Sequence, residues 1–227
     1  MYTLYIANKN YSSWSLRPWV LMRELQIPFE ERITAFEQGS NWDSFRKFSP
    51  AGRVPCLHDG ATVVWDSLAI TEYLAEPHPA VWPADRSARA WARCAAAEMH
   101  SGFAVLRQTC PMNCGIRVRL HEIPAGLAAD LRRVGELWAE GLRRFGGPFL
   151  AGSAPTAADA FFAPVAFRIQ SYGLAIPEPA AAWAGRMLER PAMREWYEAA
   201  LKEPWREEAH ELEARTFGTV TADLRTA

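Results

Sequence analysis

The segment Pro77-His78-Pro79-Ala80-Val81-Trp82-Pro83 constrains this chain more than any other. Its three prolines in seven residues remove backbone donors and fix φ, so no helix can run through it. It divides the 227 residues into a short part with alternating strand and helix patterns and a long part with helical patterns only. The expectation is two domains, residues 1–76 and 84–227, joined by a linker at 77–83.

Before the linker, Tyr2 to Ala7 is a short apolar run suited to a buried strand, not a signal peptide, because it lacks a basic leader. The segment Asn10-Tyr11-Ser12-Ser13-Trp14-Ser15-Leu16-Arg17-Pro18 then opens a helix that Pro28 stops. Ser15 is the expected N-cap, with Pro18 in the first turn, where a missing N–H costs nothing. Phe29 to Thr34 reads as a second strand, and Asn41 to Phe48 as a short irregular helix. Asp59-Gly60 lies between two apolar runs, a hairpin signal, and Asp66-Ser67 caps the helix that follows. The order β-α-β-α-β-β-α implies a parallel crossover followed by an antiparallel edge, the pattern of a thioredoxin-like α/β domain.

After the linker the reading is all-α. One long helix runs from Ala84 to about Cys110. In the next, Leu127, Leu131, Val134, Trp138, Leu142 and Phe145 fall at gaps of three and four, one face of an amphipathic helix. Thr156 and Asp159 form an expected capping box for a nearly all-apolar core helix that Gly173 ends. A last helix spans Pro191 to Lys202, and the tail from Trp205 to Ala227 is expected to be loosely held.

Composition excludes several classes of function. A net charge of −1 gives no global attraction to nucleic acid or to an anionic membrane, and no run approaches the ~20 apolar residues of a membrane span. Cys56, Cys94, Cys110 and Cys114 are too few for a disulfide framework and have no His cluster to complete a metal set, so we expect reduced thiols, no metal and a cytoplasmic setting. The five histidines (58, 78, 100, 121 and 210) form no visible constellation.

Four short stretches remain as candidates for chemistry: Ser12 to Arg17, Gly52-Arg53-Val54-Pro55, Asp66-Ser67, and Gly152 to Asp159. In their order and spacing they resemble the cytosolic glutathione S-transferase family over almost the whole chain. The serine loop is similar to the zeta-class pattern Ser-Ser-Cys-Ser-Xaa-Arg, with Trp14 where that class has cysteine. The resemblance implies glutathione as co-substrate, bound as a thiolate for attack on a small apolar electrophile or a peroxide. It also implies a homodimer. Ser12 would be the thiolate donor from its offset to Arg17, with Ser13 next and Tyr11 in reserve. A hydroxyl donor is worth about 1.5–3 kcal/mol and a helix N-terminus about 0.3–1 kcal/mol, enough to lower a thiol pKa by ~1–3 units.

The same resemblance implies a cis Val54-Pro55 bond that presents the Val54 backbone to the cysteinyl residue. Asp66 and Ser67 would hold the γ-glutamyl end and Arg53 the glycyl carboxylate. Tyr11, Trp14 and Phe103, with Met99 and Leu106, would line the electrophile pocket. Two alternatives stand beside a general transferase: a maleylacetoacetate-type cis-trans isomerase and a non-catalytic binding protein for glutathione or apolar ligands. Trp14, and an arginine at 168 where the isomerase pattern would place one near Ser171, count against the isomerase. Asp159 is read as a cap and not as part of the site.

Overall fold

The computed structural model describes residues 1–225. The N-terminal layer holds β1 (Tyr2–Ile6), α1 (Ser13–Glu24), β2 (Phe29–Ile33), α2 (Trp42–Phe45), β3 (Cys56–Asp59), β4 (Thr62–Val64) and α3 (Ser67–Ala75). The sheet order is β2-β1-β3-β4, with β1 parallel to β2 and antiparallel to β3. Parallel pairing follows from the α1 crossover, and the β3–β4 hairpin turns at Gly60 with φ 58°. Leu4 and Ile6 in the central strand are fully buried beneath Leu16, Trp19 and Ile70.

A 3₁₀ turn at Pro79–Val81 leads to the helical part. This comprises α4 (Arg86–Ser101), α5 (Ala104–Thr109), α6 (Ala125–Phe145), α7 (Ala157–Tyr172), α8 (Ala180–Leu188), α9 (Pro191–Leu201) and α10 (Glu208–Thr216). The apolar stripe expected in α6 is the face it buries: Leu127, Val134 and Trp138 are inaccessible to solvent. Helix α7 is buried along most of its length and packs against α1 and α4. Its capping box forms as expected. The Asp159 carboxylate accepts the N–H of Thr156 at 3.0 Å, and also those of Leu150 (3.0 Å) and the Trp183 indole (2.9 Å). Gly173 ends α7 at φ 59°.

The structure corrects four expectations. The expected long helix is two, because Phe103 at φ 57° breaks it between α4 and α5. The part after the linker is helical but carries one ribbon, in which β5 (Ile116–Leu120) pairs antiparallel with β6 (Gly218–Asp223). The tail through residue 225 is therefore docked by α10 and β6; residues 226–227 lie outside the described residues. In α1, Pro18 sits in the helix interior and not in its first turn, since the helix begins at Ser13.

The two parts meet on the loop after β1. Asn8 and Asn10 there are fully buried, so their backbone groups need protein partners. The Glu203 carboxylate, just past α9, accepts the N–H of Lys9 at 2.6 Å and of Asn10 at 3.2 Å. The Trp196 indole donates to the Lys9 carbonyl at 2.8 Å, and the Asn10 side chain donates to the Ala200 carbonyl at 2.5 Å. Burial pushes the Glu203 carboxyl up, against the pull of the two N–H bonds and Lys9. Glu203→Ala strands two buried donors and is expected to cost about 2–4 kcal/mol. A thermal melt would then fall by about 5–15 °C, and Glu203→Gln, which keeps one acceptor, would fall by less.

Candidate functional site

Helix α1 starts where β1 ends, and its first turn opens into a cavity of about 420 Å³. Ser12, Ser13 and Trp14 form one wall, Arg53 and Val54 a second, Arg107 and Arg168 a third. A neighbouring cavity of about 460 Å³ shares Trp14, Arg53 and Val54 and continues to Pro55, Trp65, Asp66 and His100. The two make one groove along the sheet edge. Gly52 carries the chain into it at φ 59°, where a Cβ would lie 2.6 Å from the Trp42 ring. The Val54-Pro55 peptide is cis.

The serine roles differ from the sequence expectation. Ser12, not Ser15, is the N-cap: its Oγ accepts the Ser15 N–H at 3.4 Å. Ser15 is drawn inward because its Oγ accepts the Ala7 N–H at 3.2 Å and the Ser12 hydroxyl at 2.7 Å. The Ser12 proton is thereby committed inside the loop. Ser13 Oγ accepts from Arg168 Nη2 at 3.5 Å, and among the described residues its own proton has no acceptor. The Ser13 N–H bonds to the Tyr11 carbonyl at 2.9 Å. The Tyr11 hydroxyl donates to Glu211 at 2.6 Å and accepts from Arg225 at 3.1 Å; burial, then Glu211, holds its pKa well above the ordinary value.

At the other end, Asp66 caps α3 by accepting the Leu68 N–H at 3.0 Å and faces His100 Nε2 at 3.6 Å. Ser67 is fully buried and its hydroxyl has no partner among the described residues, so the groove wall is Asp66 and not Ser67. Arg53 is exposed on the wall shared by the two cavities. Phe103, Met99 and Leu106 are core residues and line neither cavity; Phe103 packs edge-on against Phe162, with centroids 6.4 Å apart.

Sequence reasoning missed an excess of positive charge. Arg17 and Arg107 lie over the Trp14 ring, with Cζ 4.1 and 4.7 Å from its centroid. Arg17 is 1% exposed, and its Nε and Nη1 have no partner among the described residues. Arg168 donates to the Cys110 and Pro164 carbonyls at 2.8 and 3.3 Å. Burial, then repulsion by Arg107, lowers Arg168 to about 10. Burial, then Arg107 and Arg168, pulls Arg17 down as well, against the opposing pull of Asp66. The signal available in sequence was an arginine on each of three separate helices, which periodicity cannot bring together. Sequence reasoning also missed His210, which lines the first cavity from α10.

Two family models match this chain: the N-terminal domain of glutathione S-transferase over residues 11–76 and its C-terminal domain over 117–199. The chain belongs to the glutathione S-transferase family. A probable maleylacetoacetate isomerase of Caenorhabditis elegans is 25% identical over 180 residues, 75% of this chain and 80% of that protein. A dichloromethane dehalogenase of Methylorubrum extorquens is 40% identical over 57 residues, 24% of this chain and only 20% of that enzyme. Among solved structures, a theta-class glutathione S-transferase of Xanthomonas axonopodis pv. citri with glutathione bound superposes with a TM-score of 0.63 at 26% identity, covering 86% of this chain and 96% of that one. No helix of the described residues is long and apolar enough to cross a membrane.

The far wall of the site depends on charge. Arg225, 8% exposed, pairs with Glu211 and with Asp223 at 2.7 Å. The Arg225 bonds hold Asp223 well below the usual carboxylate range; Glu211 is also held low, because the bonds to Arg225 and Tyr11 outweigh its larger individual desolvation effect. Depressed carboxylates contribute stability above their unfolded pKa and lose it as pH falls through the folded one. Docking of α10 and β6 is therefore expected to weaken below about pH 4. Hydrogen-exchange protection of residues 208–223 should drop there before that of α7, and Arg225→Ala should produce the same selective loss at pH 7.

Proposed function

We propose that the groove binds glutathione and activates its thiol as the thiolate, making this chain a glutathione transferase that acts on a small electrophile or a peroxide. The observation that carries the reading is Ser13. It stands at the N-terminus of α1 with an uncommitted hydroxyl proton, beside Arg168 and within the field of Arg107 and Arg17. A free thiol with a pKa near ~8.5 is a few per cent ionised at neutral pH. A hydroxyl donor, the positive end of α1 and guanidinium groups without a paired carboxylate all favour the charged form.

An extended tripeptide of about 10 Å suits two joined cavities. In this arrangement the sulfur lies at Ser13, the cysteinyl backbone runs along Val54 and Pro55, the γ-glutamyl ammonium meets Asp66, and Arg53 takes the glycyl carboxylate. Ser12 sets the start of the helix, and Tyr11 braces it from the loop. Trp14 and the mouth at Arg107 and Met112 are left to the electrophile. The chain works as a homodimer in the cytoplasm, as its family resemblance implies.

One observation favours a second reading. Arg168 projects into the cavity beside Ser13, where it can hold a substrate carboxylate, and the relative from C. elegans is a probable maleylacetoacetate isomerase. Turnover of that keto acid with catalytic glutathione, lost in Arg168→Leu, would select the isomerase. Conjugation of an aryl halide without such turnover would select the transferase.

Ser13→Ala is expected to raise the pKa of bound glutathione by about 1–2 units, read from thiolate absorbance against pH, with little change in affinity. Ser12→Ala is a less specific probe because it also removes the cap of α1, worth about 1 kcal/mol. Its loss of activity should be accompanied by a lower melting temperature. An unchanged thiolate titration in Ser13→Ala would remove Ser13 from the role.

A further inference from the structure

The hydroxyls of this site can steady a thiolate, but none of them accepts the proton that a thiol must lose. Tyr11 donates to Glu211, Ser12 donates to Ser15, and Ser13 already accepts from Arg168. A proton acceptor stands on the opposite wall. His210, in the first turn of α10, lines the same cavity as Ser12 and Ser13. Its ring lies between two aromatic rings in near-parallel stacks, Tyr11 at 5.0 Å and 23° and Phe36 at 4.7 Å and 25°. Its Nδ1 is 2.6 Å from Glu207 Oε2, and the same oxygen accepts the His210 backbone N–H at 2.8 Å.

Glu207 is 5% exposed and ionised, so it can only accept. Its carboxyl sits below the ordinary glutamate range: burial alone would raise it, and the bonds from His210 reverse that effect. The Nδ1 proton is thereby fixed on the Glu207 side, and the lone pair is left on Nε2, which has no hydrogen-bond partner among the described residues. The two stacks keep the ring from turning away from that arrangement. A histidine that lines a cavity, is oriented through one nitrogen by a buried carboxylate and has no partner on the other is the arrangement required for general acid–base work.

We propose that His210 is a proton-transfer residue of this site and that Glu207 is its positioning residue. The proposal rests on the glutathione reading above. The S–H proton passes to His210 Nε2, leaving a thiolate at Ser13 and an imidazolium paired with Glu207. The thiolate electron pair forms the new C–S bond as the leaving anion departs with its own bond pair. The imidazolium then returns its proton to that anion or to bulk water, which restores the neutral ring.

Charged groups face His210 from several elements. On its own helix these are Glu207, Glu211 and, across the cavity rim, Glu213. From the loop after β1 comes Tyr11, and from the end of β6 come Asp223 and Arg225, with Arg206 paired to Asp223 at 2.6 Å. From the other walls of the cavity come Arg53, Arg107 and Arg168. Glu207 is the one in direct contact with the ring.

The test uses the full chain with glutathione and an aryl halide. His210→Gln should keep glutathione affinity within about twofold. It should lower kcat/KM at pH 7 by about 10-fold, within the ~30-fold ceiling set by the ionised fraction of a thiol with a pKa near ~8.5, and converge on the parent rate toward pH 9, where the thiol ionises without help. Glu207→Gln should move the acid limb of the pH–rate profile to lower pH, a change that a merely structural role would not produce. A measurement without substitution checks both. With ¹⁵N-labelled histidine, glutathione should convert His210 to imidazolium at pH 7, whereas S-methylglutathione, which has no thiol proton, should leave it neutral.

Superimposable pH–rate profiles for the parent and His210→Gln, or identical His210 titrations with the two ligands, would overturn the proposal. Failure of the parent chain to bind glutathione at millimolar concentration would instead overturn the glutathione reading on which it rests.

Discussion

The pair of hydrogen bonds from the Lys9 and Asn10 N–H groups to the Glu203 carboxylate is the contact on which the site depends. A loop that leaves a central strand and starts a helix has backbone groups pointing in several directions, and here it does so out of reach of water. The sheet cannot satisfy them, because β1 already pairs on both edges. The helical part supplies the partners. Glu203 and Trp196 act from one side, while Cys114 donates its N–H to the Asn10 carbonyl from the other. The first turn of α1 is therefore placed by residues more than a hundred positions away, and Ser12 and Ser13 reach their positions only once the helical part is docked.

The same docking explains why two buried arginines, Arg17 and Arg168, and the half-buried Arg107 are tolerated with so little acidic compensation. A buried guanidinium without partners is costly, and part of that cost is met by the carbonyls at Met99, Cys110 and Pro164 and by the Trp14 and Phe161 rings. These partners are neutral. They hold the cations without cancelling their charge, so the field survives into the cavity. A carboxylate in any of those places would make a better salt bridge and a worse anion site. In that environment a thiolate, or a carboxylate on a substrate, is the counter-ion the walls lack.

Much of the fold was legible because its signals are local. Asp59-Gly60 forms its hairpin, the stripe from Leu127 to Trp138 is the buried face of α6, and Thr156 with Asp159 is a capping box. What failed was long-range. Ser12 and not Ser15 caps α1 because Ser15 is held by the Ala7 N–H, which lies just past the preceding strand and not in the helix. The β5–β6 ribbon joins segments about a hundred residues apart, and Ile116 to Leu120 is short and interrupted by arginines, so neither strand stands out alone. Of the groove, Arg53, Val54, Pro55 and Asp66 were readable as a motif. Arg168 was visible only as an imperfect match to the isomerase pattern, and Arg107 and His210 were not readable, because each sits on a different helix whose position only the packed structure gives. The spacing of Glu207 and His210 was visible, but in a tail whose composition resembles that of a free end.

That tail is better understood as a wall. Strand β6 pairs with β5 so that Arg225 passes directly over Gly115, where a Cβ would lie 2.4 Å from its side chain. The path exists because position 115 has no side chain. Arg225 then reaches the Tyr11 hydroxyl and Glu211 together, and this fixes α10 against the loop that starts α1. One consequence is geometric: α10 can hold His210 against Tyr11 only while β6 stays paired. The other is electrostatic. The Glu211 and Asp223 carboxylates pair with Arg225 and not with the guanidinium groups of the cavity, while Glu207 is kept for the imidazole. The acidic charge of the tail is thus divided between bracing the site and orienting the imidazole of His210, a side chain of the type that accepts protons near neutral pH.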